Sequence, residues 1–203
     1  MTYRFTINFH GDDRTASNMS MIFNNFGCPS TIIEVGVYEG YTTFWMSDVL
    51  AGHNSDLKIY AVDPHIGSND LDGVDFNKIK ENFCYNLEAN TNKNVEYVCK
   101  YSSDGLTDLI KSGVKADFIY IDGDHRAGEV LTDLVMSWKL LNVGGVIMCD
   151  DSTAWRFIDK NGACSPHMSP RMAIEMFISC YWDRLTPINL PIGTQTAFMK
   201  IKE

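Results

Sequence analysis

The chain has 203 residues, a formal net charge of −9, a pI near 4.9 and 45% hydrophobic residues. This composition is ordinary for one soluble globular domain with a sizeable core. The acidity argues against a general nucleic-acid surface, because such surfaces are basic. No run of about 18 apolar residues is available to span a membrane, and no signal-peptide pattern opens the chain. We therefore expect a cytoplasmic protein with a neutral or cationic small ligand, and neither nucleic acid nor membrane as a partner.

Six cysteines are present, but no two of them form a C-x-x-C pair. This spacing argues against a zinc knuckle or a thioredoxin-like redox site. Cys99 and Cys149 lie in apolar runs that are typical of strands. We therefore expect free thiols in a reducing compartment, where cysteine behaves as a small hydrophobic residue.

The N-terminal part of the chain carries two weak patterns. Apolar residues alternate with polar ones over residues 3–9, which predicts a strand, and residues 15–26 show a weak helical face. We predict that residues 1–29 form an N-terminal extension of the domain. Two roles are left open for this extension: it caps the binding pocket, or it forms a subunit contact. The second role would make the protein a homo-oligomer.

From residue 31 onward, strands and helices alternate, as they do in proteins with a parallel sheet. Predicted strands cover residues 31–35, 57–62, 95–99, 118–121, 146–149, 182–188 and 194–201. Predicted helices cover residues 41–51, 76–87, 103–110, 130–141 and 170–180, with N-caps at Asp75, at Ser102 or Ser103, and at Ser169. The last two strands form a hairpin, so one of them runs antiparallel to its partner. We predict a single α/β domain with a Rossmann-like, doubly wound and mainly parallel sheet.

Two of the apolar runs end in pairs of acids. One leads into Asp122 and Asp124, and the other into Asp150 and Asp151. Ligands of open α/β sheets bind at the carboxyl ends of the strands, so these acids are expected at one functional edge. Two like charges at ~5 Å cost roughly 3 kcal/mol at an effective dielectric of about 20. We therefore expect a cation there, or protonation of some of the acids.

A glycine turn follows the first strand of this series. Gly36 and Gly40 lie between that strand and the next helix, where glycine lets a ligand approach the backbone closely. Asp63 ends the following strand, a position suited to binding two ribose hydroxyls. The dinucleotide pattern G-x-G-x-x-G is absent, and Glu34 and Glu39 would oppose a pyrophosphate but suit an ammonium group. The turn therefore favours a cofactor with an amino-acid head over NAD.

Together these motifs resemble the class I S-adenosylmethionine-dependent methyltransferases, over roughly residues 30–203. The resemblance rests on the turn at residues 34–40, Asp63, the segment 102–104 and the strand end at Asp122. Residues 120–125 and 144–151 look like the small-molecule O-methyltransferases, in particular the macrolide-sugar and cephalosporin-pathway branch. The resemblance implies a seven-stranded sheet with an antiparallel terminal strand and S-adenosyl-L-methionine as cofactor. It also implies O-methylation of a small hydroxylated acceptor, such as a sugar.

The resemblance implies roles for individual residues as well. The residues that would bind the cofactor are Glu34, Gly36, Gly40, Thr42, Asp63, Ser103, Asp104 and Asp122. Within this set, the turn would contact the methionine part, Asp63 would hold the ribose, and residues 103–104 would lie near the adenine. For Ser103, a simple helix cap is the alternative.

Three of the acids fit a divalent-metal site. Hard cations such as Mg²⁺ prefer carboxylate oxygens, and Asp122, Asp150 and Asp151 offer three ligands from two neighbouring strand ends. Such a metal would hold the acceptor hydroxyl and lower its pKa. The alternative is a metal-free enzyme in which these acids bond the cofactor or helix N-termini. For Asp124, a turn residue is favoured over a fourth ligand.

His125 and Asp122 are the candidate catalytic residues. An imidazole titrates near neutral pH, so His125 suits a general base, with a structural histidine at the helix start as the alternative. His65 is expected to line the cofactor pocket. Weaker candidates for contacts with the acceptor are Trp155, Arg156, His167 and Arg171.

Two other functions remain open at this point. An NAD-type oxidoreductase is opposed by the missing third glycine and by the acidic turn. A cofactor-binding protein without catalysis is opposed by the cluster of His125 with the neighbouring acids, which a pure binder would not need.

Overall fold

The computed structural model describes residues 2–6, 13–67, 74–152 and 165–203. Its helices are α1 (Asp13–Phe26), α2 (Tyr41–Ala51), α3 (Phe76–Ala89), α4 (Ser102–Lys111), α5 (Ala127–Leu140) and α6 (Pro170–Cys180). Its strands are β1 (Thr31–Val35), β2 (Lys58–Val62), β3 (Val95–Val98), β4 (Ala116–Ile121), β5 (Leu141–Cys149), β6 (Leu185–Ile188) and β7 (Thr196–Lys200). A short 3₁₀ helix, Pro166–Met168, precedes α6.

The strands form one sheet in the order β3-β2-β1-β4-β5-β7-β6. Neighbours among β1 to β5 are parallel, and β7 is antiparallel to both β5 and β6. This confirms the predicted Rossmann-like sheet of seven strands with an antiparallel terminal strand. Val35 is in register with Ile121, and Ile121 with Cys149, so β1, β4 and β5 end level with one another. The residues that follow these three strands therefore meet at one edge.

Helices cover both faces of the sheet, which explains why its strands are apolar on both sides. One face packs against α4, α5 and α6 through residues such as Ile33 and Ile119. The other face packs against α1 and α2 through residues such as Ile32 and Phe118. The weak apolar stripe of α1 is buried here, with the Phe23 ring 5.0 Å from that of Phe118. The N-terminal helix is therefore part of the central layers.

The predicted N-terminal strand is not found in its described part, because residues 2–6 form no strand. Their backbone pairs with side chains instead: the Arg4 N–H donates to Asn86 Oδ1 at 2.7 Å, and the Thr6 N–H to Glu39 Oε2 at 2.7 Å. The Tyr3 ring stacks on Phe44 at 5.0 Å. The alternation that predicted a strand thus reflects packing onto α2 and α3. The rest of that prediction, residues 7–9, lies outside the described residues.

Several boundaries differ from the prediction, among them the starts of α4, β5 and β6. The N-cap of α4 is Tyr101, so neither predicted serine occupies it, and Ser102 is already helical. β5 begins at Leu141, because that strand follows α5 without a loop, and β6 begins only after a turn closed by the Arg184 N–H on Tyr181 O at 2.8 Å. The Asp75 cap is confirmed, since its side chain accepts from the N–H groups of residues 77 and 78. Within the described part of the chain, no helix is long and apolar enough to cross a membrane.

Candidate functional site

The glycine turn after β1 is pressed against the chain that follows β4. Gly36 has φ +80°, and a Cβ built on it would lie 2.2 Å from the backbone oxygen of Asp122. Gly40 has φ +84° and begins α2, where a Cβ would lie 2.3 Å from the Phe44 ring. Both positions therefore require glycine for packing reasons alone. The contact brings the turn and the strand end of β4 together.

Asp63, at the end of β2, caps this turn from the other side. Its Oδ2 accepts from the N–H groups of Val37 at 2.9 Å and Tyr38 at 3.1 Å, and its Oδ1 from that of His65 at 2.7 Å. A carboxylate offers about four lone-pair sites, so acceptor capacity remains for a ligand. Asp63, the residue predicted to bind the ribose, thus fixes the conformation of the turn.

The two glutamates of the turn have different surroundings. Glu34 is 1% exposed and accepts a hydrogen bond from the Thr43 hydroxyl. Burial, with a smaller contribution from the charge of Asp63, raises the pKa of Glu34 to about 8. Glu39 is also 1% exposed, but its carboxylate accepts from the Thr6 N–H and from Asn82 Nδ2, each at 2.7 Å. Glu39 is therefore engaged by protein donors, which tie the turn to residue 6 and to α3.

Two side chains beside the turn, those of Thr43 and His65, make contacts that the sequence did not predict. Thr42 is half-buried at the start of α2, whereas the fully buried Thr43 makes the bond to Glu34. The two ring nitrogens of the buried His65 lie 2.6 Å from the Tyr97 hydroxyl and 2.6 Å from the Tyr38 carbonyl oxygen. His65 therefore links the turn to β3 through Tyr97, a residue that no sequence pattern marks.

The acid cluster lies where β4 and β5 end. Asp122, His125 and Asp151 each offer a ligand atom, and these atoms lie within 4.8 Å of one another. His125 Nε2 lies 2.9 Å from Asp151 Oδ2, and Asp151 is 4% exposed. Asp151 adopts a left-handed backbone conformation with φ +51°, which is unusual for a residue other than glycine. The structure thus brings the predicted base into direct contact with one of the predicted metal ligands.

The pKa of Asp122 shows that the acids of this cluster repel one another. Burial raises the pKa of its carboxyl group well above the usual range, and the charges of Asp150, Asp151 and Glu34 raise it further. A hydrogen bond from the Tyr120 hydroxyl, at 3.3 Å, opposes this effect. The repulsion that the sequence predicted is therefore present, and a cation would relieve it.

Asp150 lies outside the group of three and is held by protein donors. Its Oδ2 accepts from the Tyr120 hydroxyl at 2.6 Å and from Gln195 Nε2 at 3.1 Å, and its Oδ1 from the Asp151 N–H at 2.7 Å. Its role as a metal ligand stays a prediction. Tyr120 stands out in the sequence only as a polar group in an apolar strand, and Gln195 carries no local signal.

Comparison with known proteins identifies the family. Residues 33–152, more than half of the chain, match a protein family described as a methyltransferase domain. The chain belongs to this methyltransferase family. The match covers the glycine turn, Asp63 and the acid cluster, and it confirms the methyltransferase resemblance.

One curated relative and several solved structures are similar to the methyltransferase. The relative, an uncharacterized protein R132 of Acanthamoeba polyphaga mimivirus, is 27% identical over 132 residues, which are 63% of this chain and 53% of that protein. The chain thus spans about half the length of this relative.

Three solved structures illustrate the likeness. An O-methyltransferase from Bacillus cereus in complex with SAH has a TM-score of 0.67 at 21% identity, covering 94% of this chain and 83% of that one. TomG from Streptomyces achromogenes, involved in tomaymycin synthesis and bound to SAM, has 0.66 at 16%, covering 96% and 85%. CalS11, a TDP-rhamnose 3′-O-methyltransferase of calicheamicin biosynthesis, has 0.61 at 17%, covering 97% and 82%. At these identities, the likeness shows a shared fold.

The remaining predicted residues of the methyltransferase are scattered. Ser103 and Asp104 are exposed at the start of α4, at the same edge of the sheet. Asp124 accepts from the backbone and side chain of Arg126, as expected of a turn residue. Arg171 pairs with Glu175 at 2.6 Å on the exposed surface of α6. His167 is exposed in the 3₁₀ helix, and Trp155 and Arg156 lie outside the described residues.

Proposed function

We propose that the chain transfers the methyl group of S-adenosyl-L-methionine to a hydroxyl group of a small molecule, such as a sugar. The observation that carries this proposal is the contact between the glycine turn and the acid cluster, made where Gly36 meets the backbone of Asp122. A cofactor on the turn and an acceptor at the cluster would then lie side by side. The SAH and SAM complexes among the structural neighbours support the same cofactor.

The cofactor would be held by residues from four elements of the sheet edge. The proposed set is Glu34, Gly36, Gly40, Thr42, Asp63, Ser103, Asp104 and Asp122. The ammonium group of the methionine part would favour the ionised forms of Glu34 and Asp122, because a nearby opposite charge lowers the cost of ionising a buried acid. The ionised carboxylates would in turn attract the ammonium group. Asp63 would accept from the ribose hydroxyls while it holds the turn.

A divalent cation fits the residues at the acid cluster. Two carboxylates and an imidazole offer ligand atoms within 4.8 Å of one another, and burial and neighbouring acids raise the pKa of the Asp122 carboxyl group. Asp122 and Asp151 would hold the metal, with Asp150 as the further ligand predicted from sequence. A bound Mg²⁺ or similar ion would supply a Lewis acid that orients the acceptor hydroxyl.

His125 is proposed as the general base, with Asp151 orienting its ring through the 2.9 Å contact. The base would take the proton of the acceptor hydroxyl as the oxygen attacks the methyl carbon, and the bond from that carbon to the sulfonium sulfur would break to release S-adenosylhomocysteine. An in-line displacement of this kind depends mainly on positioning and on electrostatics. The lone pair of the imidazole that would take this proton could instead bind the metal, and it cannot do both at once.

Isothermal titration calorimetry with S-adenosylhomocysteine and with NAD tests the cofactor. We expect S-adenosylhomocysteine to bind and NAD not to bind. Binding of NAD alone would overturn the proposal. A screen of hydroxylated metabolites for uptake of labelled methyl groups then identifies the acceptor, and no uptake by any of them from a protein that binds the cofactor would favour the non-catalytic alternative.

Titration of Mn²⁺ against the wild type and the His125→Asn variant decides between the roles of His125. Equal affinity, together with lost methyl transfer, assigns His125 as the base. A weaker affinity in the variant assigns it as a ligand. Exposed His53→Asn serves as the control and is expected to change neither quantity.

We also propose that residues 1–203 form one methyltransferase domain, with residues 1–29 as an N-terminal extension. We propose further that the protein is located in the cytoplasm. Fractionation of the source cells tests the location.

A further inference from the structure

A buried chain of polar side chains connects the N-terminal helix to the acid cluster. Asn18 Nδ2 donates to Gln195 Oε1 at 2.7 Å, and Gln195 Nε2 donates to Thr15 Oγ1 at 2.7 Å. The same amide nitrogen reaches Asp150 Oδ2 at 3.1 Å, beside the Tyr120 hydroxyl. The four residues that lead to Asp150 are each at least nine-tenths buried: Thr15, Asn18, Tyr120 and Gln195.

The orientation of the Gln195 amide is fixed by its partners. Asn18 donates to the oxygen of this amide, and its own position is set by two bonds with the backbone of Ile192, at 2.9 and 3.3 Å. The amide nitrogen of Gln195 must therefore face Thr15 and Asp150. A reversed amide would place its oxygen against the carboxylate and lose these bonds.

Asp150 is consequently clamped by donors from distant parts of the chain. Tyr120 comes from β4, Gln195 from the segment before β7, and Thr15 and Asn18 stand behind it on α1. Partners that orient the residues around a metal are known to affect its affinity strongly. A clamped Asp150 stands immediately before Asp151, which fixes where the cluster's carboxylates can lie.

We propose that four residues position Asp150 and thereby set the geometry of the acid cluster. They are Asn18 and Thr15 of α1, together with Gln195 and Tyr120. The proposal rests on the proposed function, since it takes the cluster to be the cation site of the reaction. It gives the N-terminal helix a role within the site, which differs from both a cap and a subunit contact.

The isosteric Asn18→Asp substitution tests the chain from its far end. The new carboxylate has no hydrogen to donate to Gln195 Oε1, so the amide is expected to reverse and present its oxygen to Asp150. Asn90→Asp is the matched control, because Asn90 is 1% exposed and donates to Ser47 at 2.8 Å, away from the cluster. We expect Asn18→Asp to weaken Mn²⁺ binding about 10-fold or more, measured by electron paramagnetic resonance of free Mn²⁺. S-adenosylhomocysteine affinity should change by less than about threefold, since the bonds of Asn18 go to Gln195 and to the backbone of Ile192.

Tyr120→Phe, with Tyr60→Phe as its control, repeats the test with the loss of a single hydroxyl and covers the case in which Asn18→Asp does not fold. Equal Mn²⁺ affinity in Tyr120→Phe, in Asn18→Asp where it folds, and in the controls would overturn the positioning role alone. A wild type that binds S-adenosylhomocysteine but no Mn²⁺ would overturn this inference together with the metal, while leaving the cofactor. A wild type that binds Mn²⁺ with the expected pattern but no S-adenosylhomocysteine would overturn the proposed function, and the positioning of a cation site would then stand without its link to the reaction.

Discussion

The carboxylates at the functional edge are held in two different ways. Asp63, on the side of the glycine turn, accepts from three backbone N–H groups that all lie within 26 residues of it in sequence. Asp150, on the side of the acid cluster, depends on Tyr120, 30 residues away, and on Gln195, 45 residues away. The turn is therefore shaped within one β-α-β unit. The cluster needs both ends of the chain to be folded.

The two sides also differ in how their charge is balanced. The backbone donors of Asp63 act as fixed partial positive charges. Asp122 has the Tyr120 hydroxyl at 3.3 Å as a donor, while three neighbouring acids raise its pKa. The turn side is thus preorganised by backbone donors, whereas on the cluster side the described residues place acids whose charges raise the pKa of Asp122. Four substitutions test this contrast.

Asp122→Asn should have the largest effect on function. The variant loses a charge that the proposed cofactor and metal both require, so we expect methyl transfer to fall on the order of 100-fold or more. Removing a buried charge from a like-charged cluster should at the same time raise the melting temperature of the ligand-free protein. Activity assays and calorimetric melting check the two effects. Exposed Asp56→Asn is the control, and a variant that is less stable than the wild type would contradict the assigned repulsion.

Gly36→Ala should have the largest effect on stability, because it acts where the two sides touch. The new Cβ would lie 2.2 Å from the backbone oxygen of Asp122, at a φ of +80°. We expect the free energy of unfolding to fall by about 3 kcal/mol or more, measured by urea denaturation. Gly52→Ala is the matched control, since no described atom lies within 4 Å of its Cβ position and its φ is −71°. Equal stability of the two variants would mean that the turn and the strand end can separate freely.

Asp63→Asn should disturb the turn side alone. An amide keeps one acceptor oxygen but points its NH₂ group at backbone donors, so the variant loses either its two bonds to the turn or its bond from the His65 N–H. We expect S-adenosylhomocysteine to bind about 10-fold more weakly, as follows from the loss of one charge-assisted hydrogen bond. Mn²⁺ affinity should stay unchanged. An equal loss of both affinities would show that the two sides are not independent.

The contrast also explains what the sequence could predict. The bounds of β1 and α2 were predicted correctly, because a short buried strand, a glycine turn and a helix are local patterns. The acids at the strand ends were found for the same reason, since strand ends in a parallel sheet meet by topology. The methyltransferase family followed from these local features.

What the sequence did not predict depends on long-range partners. Asn18 and Gln195 are 177 residues apart, and no periodicity marks two polar residues that will meet in the interior. Glu39 accepts from the Thr6 N–H, and the alternation of polar and apolar residues around Thr6 predicted a strand and not this bond. Local patterns record which side chains are apolar. They do not record which donor a buried acid will find.

Glu34 lies between the two sides, and the pH dependence of Glu34→Gln is the finest test of the contrast. Its pKa is raised from 4.5 to about 8, mainly by burial and then by Asp63, and its own charge raises that of Asp122. Between these pH values the folded state retains a proton that the unfolded state has lost, so the contribution of Glu34 to stability falls as pH rises from about 4.5 to 8. Glutamine does not titrate and can still accept from Thr43. The variant should therefore gain stability relative to the wild type between pH 5 and pH 8, by about 3 kcal/mol, in urea denaturation without metal or cofactor. Exposed Glu88→Gln should show no such change. A constant difference between Glu34→Gln and the wild type would mean that Glu34 is ionised in the folded protein, and that the turn side balances its buried charge as fully as it balances Asp63.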